Sequence, residues 1–353
     1  MTGPQAWQSF IMEVSVLKEK LKKLENESYL KGEYTVSVSL DKLFQKEMKE
    51  LGYTYNGAYT KSLHDSGEYR LSPKCQKFPY MVIALIGSKC NSKCPSCPYT
   101  NHPDIRKKFS DVPFMEWSTW TWIARECGSH GAMLRITSIG EPTLHPKLAE
   151  MVSFAKEAGC KVGLITNGSN SVSDIDADIV EFSVDAGTKE EYERVRPGLN
   201  WETLNMNVKK AKGQVICSIV NQTGVDIERA VKYWTPFAEK VQLRKFLTYN
   251  GKVPDRSADK TPFLKEGTPC PWLFDRTVID PRGDVTFCAC DSYHKHSVGN
   301  VNDMSIVEMW QGEKYKRMRK MHIDKKQDKI PLCKGCEDLK YRTWGFSYRS
   351  MVE

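Results

Sequence analysis

The sequence predicts an α/β fold built on a parallel sheet, and three observations carry that prediction. From Tyr80 to about Phe246, apolar runs of strand length alternate with helix-patterned segments. The first run, Met81-Val82-Ile83-Ala84-Leu85-Ile86-Gly87, is apolar throughout, as expected of a strand covered on both faces. Directly after it stand Cys90, Cys94 and Cys97, in the order C-N-S-K-C-P-S-C.

Each later element follows from its own pattern. Leu134-Arg135-Ile136-Thr137 reads as a strand that empties into Ser138-Ile139-Gly140-Glu141-Pro142, and Val162–Ile165 as another that ends in Thr166-Asn167-Gly168. Val180–Asp185, Gln214–Val220 and Val241–Phe246 complete six strands. Helices are expected at Phe114–Cys127, Pro146–Ala158, Lys189–Arg194, Trp201–Lys212 and Asp226–Trp234. Strands interleaved with helices in this way mean helical crossovers and a parallel sheet. Residues 1–79 form an N-terminal extension without expected cluster ligands. There Trp7, Phe10, Ile11, Val14, Leu17, Leu21 and Leu24 recur at helical spacing. A second helix is expected from near Asp41 to Leu51, stopped by Gly52. Residues 80–246 form the main domain, and 247–353 a smaller, cysteine-bearing one.

Bulk properties agree with an enzyme of the cytoplasm. The chain has 353 residues, a formal charge of +8 and twelve cysteines, too sparse for a disulfide-stapled scaffold. Neither a signal sequence nor a membrane-length apolar run is expected, so the thiols should stay reduced and no membrane partner is implied. Lysines are scattered, with no basic stripe or RNA-binding motif, so nucleic acid is not expected as a partner.

Three thiolates at this spacing can surround one corner of an iron–sulfur cube. A 4Fe–4S cluster ordinarily takes four cysteines; three leave one iron open to a small molecule. Zinc is the alternative, but a structural zinc site wants four closed ligands. With the Gly140-Glu141-Pro142 turn and the Asn167-Gly168 corner in place, the chain resembles the radical S-adenosylmethionine (SAM) superfamily. Its hallmarks are a C-x3-C-x2-C loop after the first strand and a Gly-Gly-Glu-Pro-like turn after the second. Ile139 stands where the first glycine of that turn usually sits, and Ser96 where an aromatic residue is common.

The resemblance implies a partial (β/α)6 barrel whose chemistry gathers at the C-terminal strand ends. It also implies that Cys90, Cys94 and Cys97 hold a 4Fe–4S cluster, with SAM on the fourth iron. Ser138, Gly140 and Glu141 are then candidate SAM contacts, as are Asn167 and Ser183. For Glu141 the alternative is a turn-capping carboxylate; for Asn167 and Ser183 it is local turn or backbone bonding. The C-terminal order, Cys270, Gly283, Cys288, Gly299-Asn300, Trp310, Cys333 and Cys336, resembles the SPASM/twitch extension of a subset of these enzymes. Cys270, Cys288, Cys333 and Cys336 would close a second, auxiliary 4Fe–4S cluster, again with structural zinc as the alternative. With Cys290 the region holds five cysteines, short of the seven or so that a two-cluster SPASM form needs. Cys290 is spare: a replacement for Cys288, or a hydrogen-atom donor near substrate. Cys75, Cys127, Cys160 and Cys217 read as small buried hydrophobes, and His294 and His296 as surface-loop residues.

By that resemblance, reductive cleavage of SAM to a 5′-deoxyadenosyl radical and hydrogen abstraction from a C–H bond are expected. Dehydrogenation or epimerisation of a small sugar-like or aminocyclitol-like substrate leads. Peptide modification is the runner-up, and an iron–sulfur carrier or activase a third possibility. An electron donor such as flavodoxin or ferredoxin is the expected partner, beside the small-molecule or peptide substrate.

Overall fold

A computed structural model describes residues 75–260 and 269–341. The helices expected over Trp7–Leu24 and Asp41–Leu51 lie outside the described residues. The first strand, β1 (Met81–Leu85), is buried along its whole length. After the cysteine loop come two short helices, α1 (Pro98–Asn101) and α2 (Pro103–Lys107), each opened by proline at the first helical position. Neither was expected from the sequence, because four or five residues hold no readable period.

Helix α3 (Trp117–Ser129) buries Trp120, Ile123, Ala124 and Cys127, spaced to share one face. It leads to β2 (Met133–Thr137), then α4 (Leu148–Glu157) and β3 (Lys161–Thr166). The link from β3 to β4 (Ile179–Ser183) contains no helix. Helices α5 (Lys189–Val195) and α6 (Trp201–Lys210) start at Thr188 and Asn200, whose side chains accept from Glu191 N and Thr203 N. Strand β5 (Gln214–Asn221), helix α7 (Ile227–Trp234), capped by Asp226, and β6 (Lys240–Lys245) follow.

These strands lie in the order β6-β5-β4-β3-β2-β1, all parallel. One face packs Val82, Leu134, Val162, Val180 and Cys217 against helical Trp120, Val152, Leu204 and Trp234 in a continuous core. On the other face, Arg135 of β2, Glu181 of β4 and Arg244 of β6 meet. Side chains of alternate strands converging in this way describe the inner wall of a partial barrel.

The sheet does not stop at β1. After α8 (Trp272–Asp275), strand β7 (Arg276–Ile279) pairs in parallel with β1. Strands β8 (Asp284–Thr286) and β9 (Gly299–Asn300) continue antiparallel. The cysteine-bearing segment is thus grafted onto the barrel's first strand, and β7 ends on the same side as the cysteine loop. Helix α9 (Ile306–Trp310) begins with a full capping box, Ser305 and Glu308 bonding reciprocally. Helix α10 (Glu313–Ile323) follows, and buried Arg319 ties it to Leu273 O of α8 at 2.8 Å; two short 3-10 turns, Gln327–Lys329 and Glu337–Tyr341, come after it. No helix among the described residues is long and apolar enough to cross a membrane.

Candidate active site

Cys90, Cys94 and Cys97 leave the C-terminal end of β1 on one loop, all three half-buried. Cys97 N donates to Cys94 O at 3.1 Å, and Cys97 is the N-cap residue of α1. The loop is fastened to the segment after α5: Lys93 N and Ser92 Oγ both donate to Pro197 O, at 3.2 and 3.0 Å. Burial pushes the Cys90 and Cys97 thiols above their ordinary range, with the neighbouring Cys94 acting in the same direction. Their protons would leave on metal binding, as ligation requires thiolate.

Beyond Cys94 stands a cation that the sequence did not single out. Arg196 Nη1 lies 4.0 Å from Cys94 Sγ, and its Nε donates to Asp185 Oδ2 at 2.9 Å. Burial alone would lower the Arg196 pKa, but Asp185 and Cys94 reverse the sign, so the guanidinium stays charged. Asp185 occupies left-handed backbone (φ 50°), and its Oδ1 accepts from Val220 N at 2.8 Å. No local signal marks this pair, because Arg196 is brought to the loop by the turn after α5.

The turn after β2 is pressed onto the cysteine loop. A Cβ on Gly140 would come within 1.8 Å of Lys89 O, so only glycine fits. Glu141 N donates to Lys89 O at 2.7 Å and Ile139 N to Gly87 O at 2.9 Å. Ser138 Oγ donates to Gly87 O and accepts from Gly140 N at 3.1 Å. Ile139, at the usual glycine position, is buried.

Glu141 caps the turn. Its carboxylate accepts from Thr143 N, Thr143 Oγ1, Thr166 Oγ1 and Asn167 N, at 2.7–3.1 Å. It thereby ties the ends of β2 and β3 together. Burial raises its carboxyl above the ordinary range, against the bonds from Thr166, Asn167 and Thr143.

Asn167 reaches back to the cysteine loop, donating from Nδ2 to Asn91 Oδ1 at 2.9 Å. Its Oδ1 accepts from Ser169 N at 2.9 Å, the local turn bond that the Asn-Gly pair suggests. Ser183 ends β4, half-buried and in register with Ser218. Ser138, Gly140, Glu141, Asn167, Ser183 and the three cysteines therefore all gather at one end of the sheet.

Farther along, Cys270, Cys288, Cys333 and Cys336 are half-buried on three separate loops. Cys270 N donates to His322 Nδ1 at 3.3 Å, and His322 Nε2 is buried without a partner among the described residues. Cys336 N donates to Cys333 O at 3.1 Å, across a turn whose Gly335 has φ +67°. Cys290 differs: it is fully buried, with its Sγ 3.5 Å from Asp338 Oδ2. Asp338 also accepts from Thr248 N and Asn250 N, both at 2.8 Å, and so joins the cysteine segment to the loop after β6. From that loop, Lys252 Nζ donates to Cys290 O at 3.1 Å, and Lys252 O lies 2.8 Å from His102 Nε2.

Two readings change. His294 is not on the surface: it is buried, its Nδ1 3.5 Å from Asp280 Oδ2. Burial pushes His294 down to about 4 and, with nearby Asp284, Asp280 up to about 6. Cys127, Cys160 and Cys217 are buried as expected, but Cys75 is half-buried, its Sγ 3.0 Å from Phe274 O.

The residues present suit iron–sulfur clusters. Among the described residues no three His, Cys, Asp or Glu groups converge as on a single metal ion. A cubane does not require that, since each thiolate binds its own iron. The His322 nitrogen beside Cys270, buried without a partner among the described residues, suits an occupant richer than a lone thiol.

The model of the SPASM iron–sulfur cluster-binding domain matches residues 270–337. Over 90 residues the chain is 33% identical to the PqqA peptide cyclase of Gluconobacter oxydans, covering 26% of this chain and 24% of that protein. Over 118 residues it is 27% identical to the tungsten-containing aldehyde ferredoxin oxidoreductase cofactor-modifying protein of Pyrococcus furiosus, covering 31% of each. The matches thus span less than a third of these curated relatives. Among solved structures, Streptococcus suis SuiB aligns with a TM-score of 0.61 at 12% identity, over 85% of this chain and 87% of that one. The structure of anSMEcpe with bound AdoMet aligns at 0.54 and 18% identity, over 78% and 92%. Cysteine motif, parallel sheet and SPASM match point the same way: the chain carries a SPASM iron–sulfur cluster-binding domain after its barrel, and it is similar to radical SAM enzymes, whose cofactors are SAM and 4Fe–4S clusters.

Proposed function

We propose that this chain oxidises or epimerises a small polyhydroxylated substrate at an unactivated C–H bond. With a 4Fe–4S cluster held by Cys90, Cys94 and Cys97, bound SAM would supply the 5′-deoxyadenosyl radical that abstracts hydrogen. The observation that carries the reading is the convergence of Cys90, Cys94, Cys97, Gly140 and Asn167 at one barrel mouth, with Arg196 beside Cys94. Cys90, Cys94 and Cys97 would hold the SAM cluster; Cys270, Cys288, Cys333 and Cys336 would hold the auxiliary one. Ser138, Gly140, Asn167 and Ser183 offer polar and backbone groups where SAM would lie, while Glu141 holds their loops in place. Buried Cys290, beside Asp338 and linked through Lys252 to the mouth, suits a hydrogen-atom donor for epimerisation.

A single auxiliary donor set supports a small-molecule substrate; similarity to PqqA peptide cyclase favours peptide modification as the second reading. A flavodoxin- or ferredoxin-like protein would deliver the electron. Anaerobic incubation with dithionite and SAM tests the common core. Formation of 5′-deoxyadenosine above a no-enzyme control is expected; its absence would leave a carrier or activase. Deuterium passing from candidate substrates into 5′-deoxyadenosine would then identify the substrate class.

A further inference from the structure

We infer that His322 donates a hydrogen bond from Nε2 to a sulfur of the auxiliary iron–sulfur site and so raises its reduction potential. This role rests on the reading that Cys270, Cys288, Cys333 and Cys336 hold a 4Fe–4S cluster, and it deepens that reading.

The two ring nitrogens of His322 are differently placed. Nδ1 accepts from Cys270 N at 3.3 Å. A ring nitrogen that accepts carries no hydrogen, so the proton of the neutral imidazole is on Nε2. That N–H is buried, in a residue only 1% exposed, and has no partner among the described residues. Buried donors in folded proteins are nearly always met, so one beside a candidate ligand calls for an acceptor of its own.

The same helix face reaches toward a second candidate ligand. Tyr315, Arg319 and His322 recur at helical spacing and are the buried residues of α10. Tyr315 Oη lies 2.7 Å from Thr277 Oγ1, which donates to Thr286 O just before Cys288. Burial and, in the same direction, Cys288 push the Tyr315 hydroxyl above its ordinary range. Between them, Arg319 donates from Nε to Leu273 O at 2.8 Å and from Nη1 to Trp310 O at 2.9 Å. One face of α10 is thus fastened to the segments that carry both Cys270 and Cys288.

The bond to Cys270 also separates donation from ligation. Were Nε2 to bind iron, its proton would move to Nδ1 and there oppose the N–H of Cys270. Sulfur carrying thiolate or sulfide charge can accept from Nε2–H with no such conflict. Hydrogen bonds to cluster sulfur favour the reduced, more negative state, and so make one-electron uptake easier. His322 is therefore a positioning residue that sets a potential.

Potentiometry read by EPR tests this on anaerobically reconstituted full-length protein, following the cubane signal that SAM leaves unchanged. His322→Phe keeps the bulk of the ring and removes both nitrogens. It should lower that potential by about 59 mV, a tenfold change in a one-electron equilibrium. His322→Gln retains an N–H and should recover much of the shift, while the SAM-sensitive signal keeps its potential in both. An unmoved potential in His322→Phe would overturn the inference, as would equal shifts in the two variants, which mark packing alone. Should the variants lose the cluster, pulsed EPR of wild type labelled with heavy-nitrogen histidine decides. A weak nitrogen coupling on the SAM-insensitive signal is expected. No coupling, as when a buried water takes the proton, or the strong coupling of a direct iron ligand would overturn the role. Absence of any SAM-insensitive cubane signal would overturn the parent reading with it, whereas such a signal with an unmoved potential counts only against His322.

Discussion

The two cysteine regions hold their thiols by different means. At the barrel mouth, one loop carries all three, and that loop is fixed on several sides by groups other than metal. Gly140 packs against Lys89, Asn167 bonds Asn91, and Pro197 O takes both Lys93 N and Ser92 Oγ. In the C-terminal segment, four half-buried cysteines come from three loops, with His322 and Asp338 among the groups that tie these loops together. Preorganisation by the protein suits a cluster that must leave one iron free for chemistry. A fully ligated cluster can instead serve as the fastener of its own loops, as structural metal sites do.

The sharpest way to break this comparison is Gly140→Ala. A Cβ placed 1.8 Å from Lys89 O cannot be relieved by a side-chain rotation. Displacing the cysteine loop should reduce SAM cleavage by about 100-fold or more and cost roughly 1–3 kcal/mol of stability. Near-normal 5′-deoxyadenosine formation would show that the mouth is not rigidly set. Next, Cys94→Ala should abolish SAM cleavage with little change in secondary structure by circular dichroism. Cys333→Ala should instead leave SAM cleavage measurable, impair substrate turnover and speed proteolysis of the C-terminal segment. If both variants lose the same function, the division of labour fails.

Asp338→Asn sharpens the contrast at smaller scale. Losing a buried acceptor for Thr248 N and Asn250 N should cost about 1–3 kcal/mol locally. Faster amide exchange at those two positions would show it, with Asn91 and Asn167 unaffected.

The smallest effect is on acid stability. His294, at about 4 when folded against an ordinary 6.5, contributes stability that is present above 6.5 and lost as pH falls toward 4. Asp280, raised to about 6 from 3.8, works oppositely, its contribution fading as pH rises through 6. His294→Gln should flatten the acid side of the stability profile and Asp280→Asn should steepen it, as read by urea unfolding at stepped pH.

Much of the barrel was legible because its strands are buried on both faces and its helices obey one period. Lys161–Thr166, Gln214–Asn221 and Trp201–Lys210 fall within a few residues of their sequence expectations. The cysteines and the Gly140 turn were legible as motifs. Strand β7 was not, since Arg276–Ile279 spans four residues and is defined by pairing with β1 nearly two hundred positions away. Arg196, Asp185, Asn91 and Asp338 were missed for the same reason: each acquires its role from a partner remote in sequence. The same holds for Arg135, Glu181 and Arg244, which lie scattered on separate strands and meet only because the sheet curls.

EPR of the reduced, anaerobically reconstituted protein tests the central claim most directly, comparing wild type with Cys94→Ala and Cys333→Ala, before and after addition of SAM. The account predicts one cubane signal that changes with SAM and vanishes in Cys94→Ala, and another that ignores SAM and vanishes in Cys333→Ala. A wild-type spectrum without any SAM-sensitive cubane signal would contradict it.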